Sequence, residues 1–177
     1  MLLRKWQKEI INKYEEICKS HKKFILKAPT GAGKTVLASE IIKKFYRHKK
    51  ILVLCHRLVL LEQLEKELKI DHKVKKLGIS EDIKCFGNAD IILSTNLRSK
   101  YAVASLIPDA DLIIIDEAHR VSPVGSAYQR VLDIFDTRGK KTSHIMGLTA
   151  SPERRTGNQN DQLGLVFDAI IDCADVN

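Results

Sequence analysis

The sequence predicts a three-layer α/β/α domain in which a mostly parallel sheet is covered by helices on both faces. Short apolar runs typical of buried strands alternate with segments whose apolar residues recur every three or four positions, as they do in helices. A glycine-rich segment lies between the first such strand and an amphipathic segment, at residues 28–35. The length of 177 residues and the hydrophobic fraction of 44% are those of one globular domain with a substantial core. We therefore expect residues 1–177 to form a single domain.

The helices are predicted from spacing and the strands from continuous apolar runs. A first amphipathic helix is predicted at about residues 2–19, where Trp6, Ile10 and Tyr14 recur at helical spacing. Leucines four or fewer positions apart predict a helix near residues 58–68, and an N-cap cluster at residues 94–96 predicts another, ending near residue 106. Further helices are predicted at residues 34–46 and 126–135. Strands are predicted at residues 23–27, 51–55, 73–77, 91–94, 112–115, 144–148 and 169–172.

Residues 28–35 read Ala-Pro-Thr-Gly-Ala-Gly-Lys-Thr and predict a phosphate-binding loop between a strand and a helix. Gly31 and Gly33 permit backbone dihedrals that a Cβ forbids, and so turn successive N–H groups toward an anion at a helix N-terminus. Lys34 can reach the β- and γ-phosphates, and we expect it to face solvent before a nucleotide binds. The Thr35 hydroxyl can bind Mg²⁺.

The loop departs from the general pattern at one position, because Ala28 stands where that pattern has its first glycine. An ordinary glycine turn before a helix is the alternative interpretation. The predicted nucleotide-binding residues of the loop are Pro29, Thr30, Gly31, Ala32, Gly33, Lys34 and Thr35.

A pair of carboxylates follows the most hydrophobic predicted strand, residues 112–115. In a parallel sheet the carboxyl ends of the strands open into loops at one edge, so Asp116 and Glu117 belong at the same edge as Lys34 and Thr35. Asp116 is expected to hold Mg²⁺ through the ion's water shell, and Glu117 to polarise or deprotonate an attacking water. Alone, the pair could be a solvated acidic turn. Its conjunction with the loop predicts a nucleoside triphosphatase with Lys34, Asp116 and Glu117 as catalytic residues.

Composition restricts the class of protein further. The net charge of +8 favours a polyanionic partner. The two densest basic runs, residues 43–50 and 138–141, are both expected at the edge of the sheet opposite the loop, and the first of them suits a solvated helix end. Four scattered cysteines form no C-x-x-C pair, so neither a zinc site nor a disulfide framework is indicated. We expect neither a signal peptide nor a membrane helix, because residues 1–6 lead directly into charged residues and no stretch is long and apolar enough to span a membrane. We expect a soluble, intracellular chain that is monomeric as it stands.

Three segments together resemble motifs I, II and III of superfamily 2 helicases: the loop at residues 28–35, Asp-Glu-Ala-His at 116–119, and Leu-Thr-Ala-Ser-Pro-Glu-Arg at 148–154. The resemblance covers nearly all of the chain. It implies the first of the two RecA-like domains of an ATP-driven, Mg²⁺-dependent motor, with the second RecA-like domain absent from this chain.

The resemblance also implies roles for residues outside the phosphate loop. Leu-Arg-Lys-Trp-Gln at residues 3–7 resembles the adenine-recognising segment, in which Arg4 and Gln7 would bind the nucleotide; the alternative is the polar face of a first helix. Motif III couples the nucleotide to the strand being moved, so Thr149 and Ser151 would hydrogen-bond toward the segment that contains His119. Most relatives carry threonine where Ser151 stands, and the hydroxyl is retained.

Two further segments resemble the motifs that contact the nucleic-acid backbone. Cys-His-Arg-Leu-Val-Leu-Leu-Glu-Gln at residues 55–63 is similar to motif Ia and contains Arg57, and Ser-Thr-Asn-Leu-Arg at 94–98 lies where motif Ib is expected. The resemblance therefore implies that Thr95, Asn96 and Arg98 bind backbone phosphates of the nucleic acid. For Arg57 and Arg98 a surface salt bridge is an equally good interpretation.

The branch within superfamily 2 follows from the same motifs. Pro29 stands where DEAH-box RNA helicases carry glutamate, and the Pro-Thr-Arg-Glu-Leu segment of DEAD-box proteins is absent. The sequence looks most like the XPB- and UvsW-related DNA helicases and the translocating subunits of restriction enzymes, so DNA is the expected partner. The alternatives are an RNA or double-stranded-RNA helicase of the Hef and Dicer-like branch, and a nucleotide-binding regulatory module that does not hydrolyse ATP.

Overall fold

The computed structural model describes residues 2–55, 58–68, 73–76, 90–95, 109–121, 133, 144–151, 163–164 and 166–173. Its helices are α1 (Lys5–Ser20), α2 (Lys34–Phe45) and α3 (Leu58–Leu68), and residues Ala118–Arg120 form one 3₁₀ turn. Its strands are β1 (Lys23–Lys27), β2 (Ile51–Cys55), β3 (Val74–Lys76), β4 (Ile91–Thr95), β5 (Leu112–Asp116), β6 (His144–Thr149) and β7 (Ala169–Asp172).

The seven strands form one sheet in the order β3-β4-β2-β5-β6-β1-β7. All six strand pairings are parallel, which confirms the predicted parallel α/β architecture. The strands that precede the glycine-rich loop and the carboxylate pair, β1 and β5, both pair with β6. Three strand ends are therefore adjacent at the carboxyl edge.

Apolar side chains bury both faces of the sheet, as a three-layer fold requires. The larger cluster joins one face of the sheet to the buried sides of α1, α2 and α3, with Tyr14, Ile41 and Leu64 among its members. The second cluster covers the other face with Ala118, Val121, Leu163, Val166 and Phe167. The helices predicted at residues 96–106 and 126–135 lie outside the described residues, apart from Asp133, which is helical.

The first helix begins later than predicted, at Lys5 instead of residue 2. Arg4 is extended (φ −68°, ψ 158°) and its N–H donates to the Gln7 side chain, so the backbone before Lys5 cannot continue the helix. In the part of the chain that the structure describes, no helix has the length and apolarity needed to cross a membrane.

Aspartates align neighbouring strands at the edge of the sheet opposite the glycine-rich loop. Asp90, Asp111 and Asp168 directly precede β4, β5 and β7, and each carboxylate accepts a hydrogen bond from the N–H of the residue that precedes a neighbouring strand. The donors are Lys73 to Asp90 (3.1 Å), Lys50 to Asp111 (2.8 Å) and Lys22 to Asp168 (3.1 Å). These bonds fix where adjacent strands start relative to one another. In the sequence, each of these three aspartates stands immediately before a predicted strand.

The basic run at residues 43–50 lies at this same edge, as predicted. Lys49 and Lys50 approach the carboxylates of Asp111 and Asp90 at 3.9 Å, so part of the run is neutralised locally. Ion pairs this long and this exposed contribute little stability. The structure therefore favours the interpretation of a solvated helix end.

Candidate active site

The candidate site lies where β1, β6 and β5 end side by side. Lys27, the last residue of β1, is the register partner of Thr149 on β6, and Leu148 on β6 is the partner of Asp116 on β5. The N–H of Ala28 donates to the Thr149 carbonyl at 2.9 Å, which fixes the start of the loop to the end of β6. The predicted phosphate loop, the Asp-Glu-Ala-His segment and the Thr-Ala-Ser segment therefore meet at one edge.

The loop has the backbone that its glycines were predicted to permit. Gly31 (φ 73°) and Gly33 (φ 93°) both lie in the left-handed region, and Gly33 is the N-cap of α2. A Cβ at Gly33 would lie 2.7 Å from the Gln7 side-chain nitrogen, so a larger residue there would be strained by its φ and would also displace the Gln7 amide. The loop thus presents the N-terminus of a 12-residue helix, with its unpaired N–H groups and dipole, toward the site.

Lys34 does not extend into solvent, contrary to the prediction. Its ammonium is half-buried and donates to the carbonyl oxygens of Ala28 (3.0 Å) and Pro29 (3.1 Å). The ammonium bends back to the loop because these two carbonyl oxygens lie close to the first turn of α2 and accept no hydrogen bond from within the described helices. The positive charge is therefore held over the loop where phosphates are expected, and Thr35 follows it in the same helical turn.

Gln7 connects the first helix to the phosphate loop. Its side chain is 2% exposed; its oxygen accepts from the N–H of Arg4 (2.8 Å) and its nitrogen donates to the carbonyl of Gly33 (3.0 Å). Gln7 is therefore a buried residue of the first turn of α1, whereas the Arg4 side chain is exposed. A primary amide has two N–H donors and two acceptor lone pairs. The two bonds use one donor and one acceptor of the amide, and adenine recognition by Gln7 stays a prediction.

The carboxylate pair ends β5 with an unusual backbone. Glu117 has φ 55° and ψ 47°, and it is the one non-glycine residue with positive φ among those the structure describes. This conformation costs about 1 kcal/mol or more for a residue with a Cβ, and such strain is concentrated at functional sites. Nothing in the sequence pointed to it, because glutamate has no preference for the left-handed region.

A glycine in β6 makes room for the turn that follows Glu117. A Cβ at Gly147 would lie 2.7 Å from the Cβ of Ala118, so the 3₁₀ turn packs directly on the sheet only because this position has no side chain. That close approach brings His119 next to the end of β6. Gly147 is a positioning residue that the sequence interpretation missed.

His119, Thr149 and Glu117 form a hydrogen-bonded group. The Thr149 hydroxyl donates to the Ser151 carbonyl (2.9 Å), so its oxygen can only accept from His119 Nδ1, 2.9 Å away. His119 Nδ1 therefore carries a proton, and it also lies 3.2 Å from a Glu117 carboxylate oxygen. The Ser151 N–H completes the set by donating to the Thr149 hydroxyl (3.3 Å). Residues predicted to couple motif III to the Asp-Glu-Ala-His segment are thus brought together, with Ser151 contributing its backbone.

The oxygen ligands at this edge fit Mg²⁺ and a nucleotide. Thr35 supplies a hydroxyl and Asp116 a carboxylate, the hard ligands that Mg²⁺ prefers when it retains waters and binds phosphates. The described residues contain no group of three or more His, Cys, Asp or Glu side chains that could hold a metal ion by themselves. Mg²⁺ binding by Thr35 and Asp116 stays a prediction.

The predicted nucleic-acid contacts lie mainly outside the described residues. This applies to Arg57, Asn96 and Arg98, and to the side chain of Thr95. The backbone of Thr95 ends β4 beside Cys55, so it lies at the carboxyl edge with the rest of the site. Their nucleic-acid contacts stay predictions.

Comparison with known proteins gives a family and a set of similar structures. A family model described as the res subunit of type III restriction enzymes matches residues 1–154. A search of curated proteins gives no match. Among solved structures, the chain is similar to the Hef helicase domain of Pyrococcus furiosus, with 27% identity, a TM-score of 0.76, and coverage of 96% of this chain and 37% of that one.

Two other solved structures show the same fold at lower identity. UvsW of bacteriophage T4 has 18% identity and a TM-score of 0.74, over 98% of this chain and 35% of that one. The SWI2/SNF2 ATPase core of Sulfolobus solfataricus, solved in complex with double-stranded DNA, has 22% identity and a TM-score of 0.66, over 86% of this chain and 32% of that one. The chain spans about a third of the length of each of these three structures.

Proposed function

Since the chain belongs to the family of the type III restriction enzyme res subunit, whose members share a helicase-like ATPase motor domain, we propose that it is the ATP-binding half of a motor driven by ATP hydrolysis on DNA. The observation that carries the proposal is the meeting of three strand ends at one edge. They bring together a glycine loop with its lysine, the carboxylates Asp116 and Glu117, and the pair His119–Thr149.

Each group at this edge has a task in phosphoryl transfer. The N–H groups of the loop and the ammonium of Lys34 bind the phosphates, and Lys34 exchanges the carbonyls of Ala28 and Pro29 for phosphate oxygens, which are stronger acceptors because they are charged. Thr35 and Asp116 would hold Mg²⁺, which supplies positive charge to the triphosphate. Gln7 presents its remaining donor and acceptor to adenine.

Glu117 is the general base in this proposal. Its carboxylate accepts a proton from the water that attacks the γ-phosphate, and its orientation is fixed by the left-handed backbone and by the proton on His119 Nδ1. The same Nδ1 proton contacts Thr149, so a displacement of the 149–151 segment would move the base. That link gives a route by which strand movement and hydrolysis affect each other.

The preference for DNA is the finer part of the proposal. It is supported by the family, by the net charge of +8, and by the similarity to an ATPase core solved on double-stranded DNA. A nucleotide-binding module that does not hydrolyse ATP is the alternative. The presence of Glu117 disfavours this alternative. A module that only binds ATP requires neither a carboxylate beside the proposed metal ligand nor a strained backbone that orients that carboxylate.

The test of the proposed function is the ATPase activity of the 177-residue chain, with and without saturating single-stranded DNA, duplex DNA or duplex RNA. We expect the chain to bind ATP, to hydrolyse it slowly and to unwind nothing. An arginine supplied by a second domain is typically worth about 10³–10⁵ in rate, and the proposed motor needs a second RecA-like domain to close on the nucleotide.

A longer chain that includes the proposed second domain serves as the reference in that experiment. Strong DNA-stimulated turnover by the isolated chain, equal to that of the longer one, would show that this domain is catalytically complete. Failure to bind ATP would remove the proposed function altogether.

A second prediction concerns the nucleic-acid contact. Arg98→Ala should weaken DNA binding equally for unrelated sequences and lower the dependence of log K on log salt by about one unit, as expected from the loss of one phosphate contact. Fluorescence anisotropy over a salt series measures both quantities. The matched control is Arg47→Ala, an exposed arginine beyond the end of α2 at the opposite edge. If the two variants behave alike, Arg98 belongs to a surface salt bridge.

A further inference from the structure

Cys55 lies beside the proposed metal ligand and has no place in the mechanism above. It is the last residue of β2 and 0% exposed. Leu54 is the register partner of Ile115 on β5, so the next residues along the two strands, Cys55 and Asp116, are neighbours.

The alternation of side chains puts these two groups on the same face of the sheet. Val53 and Cys55 belong to the apolar cluster that faces α2, as does Ile114, whereas Ile115 belongs to the cluster on the other face. Asp116 therefore returns to the face that carries α2, the helix that begins with Lys34 and Thr35.

The thiol contacts the carboxylate directly. Sγ of Cys55 lies 3.5 Å from Oδ2 of Asp116, and since a carboxylate can only accept, the S–H donates. Cys55 is itself a member of the buried apolar cluster, so packing restricts rotation of its side chain. The contact restricts rotation of the carboxylate about its bond to Cβ.

We propose that Cys55 is a positioning residue that orients the Asp116 carboxylate toward the Mg²⁺ of a bound nucleotide. The inference rests on the proposed function of Asp116. A thiol suits the place for two reasons: it is tolerated in an apolar core as a small hydrophobic group, and it donates weakly, so the carboxylate keeps its charge for the ion.

The experiment measures how the affinity of the 177-residue chain for ATP depends on Mg²⁺ concentration, by isothermal titration calorimetry. Cys55→Val removes the donor and keeps apolar volume, whereas Cys55→Ser keeps a donor. The control is Cys173→Val, because Cys173 is also buried (3% exposed) near the same edge, and its thiol lies 3.9 Å from the Ile171 carbonyl. Cys55→Ala is the substitute if the valine variant does not fold.

Cys55→Val loses a weak hydrogen bond to a charged group. We therefore expect the Mg²⁺ concentration that gives half of the maximal gain in ATP affinity to rise about threefold, while the affinity for Mg²⁺-free ATP stays unchanged. Cys55→Ser should stay within about 1.5-fold of the unmodified chain, and so should Cys173→Val. The role proposed for Cys55 would be wrong if Cys55→Val left the Mg²⁺ dependence unchanged, or if Cys55→Ser shifted it as much as Cys55→Val does. Either result would leave the proposed function of the site intact. If ATP binding by the unmodified chain does not depend on Mg²⁺, the proposed function falls and the inference falls with it.

Discussion

Lys34→Ala should lower the affinity for Mg²⁺·ATP about 100-fold or more while the domain stays folded. Removing one partner of a buried, hydrogen-bonded charge pair costs 2–5 kcal/mol, and each 1.4 kcal/mol is about tenfold in Kd. Lys34 holds its charge directly over the loop through the carbonyls of Ala28 and Pro29, at 3.0 and 3.1 Å. Loss of these two bonds should change the free energy of unfolding by only about 1 kcal/mol, because both carbonyls can accept from water instead.

The measurement for Lys34 is a calorimetric Kd together with a thermal unfolding curve. The matched control is Lys44→Ala, a lysine on the same helix that is exposed and stacked on the ring of Phe45, about 15 Å along the axis from Lys34. The control should bind Mg²⁺·ATP as the unmodified chain does. A Kd in Lys34→Ala equal to that of the control would exclude the phosphate-loop assignment.

Glu117→Gln should leave Mg²⁺·ATP binding within about threefold and lower turnover by about 10²–10⁴, the usual contribution of a positioned general base. Glutamine has the same shape and accepts the same left-handed backbone at similar cost, so the geometry around His119 is preserved while the proton acceptor is lost. Turnover is measured in the longer chain with saturating DNA, and binding in the 177-residue chain.

The control for Glu117 is Glu16→Gln, which removes the same charge from the exposed face of α1. It should change neither quantity. If Glu117→Gln retains the turnover of this control, the base is another group, and the αL backbone at residue 117 requires a different explanation.

The elements of this fold could be predicted because most of their signals are local. The boundaries of β1, β2 and β7 agree with the apolar runs that predicted them, and the helix after the loop ends at Phe45, one residue before its predicted end. The common edge for the glycine loop and the carboxylates also followed from sequence, since parallel strands place all of their carboxyl ends together.

The rest could not be predicted, because it depends on contacts between segments far apart in sequence. Gly147 is required by Ala118, and Lys34 bends toward carbonyls whose positions are set by the loop. The buried amide of Gln7 joins two elements 26 residues apart. Periodicity predicts which face of a helix is buried, but not which backbone group a polar side chain on that face will find.

The aspartates that precede β4, β5 and β7 separate two properties of the sheet: the strands are aligned at its amino edge, and the candidate site lies at its carboxyl edge. Their bonds to backbone N–H groups align the strands at the amino edge, so strand alignment does not depend on the loops at the carboxyl edge. Those loops can then adopt strained or open conformations, lengthen, or exchange one ligand for another without changing the register of the strands. A register shift of one residue would turn the buried side chains of a strand toward its other face. An engineer who wished to graft a different chemistry onto this scaffold would keep the three aspartates and rebuild the opposite edge.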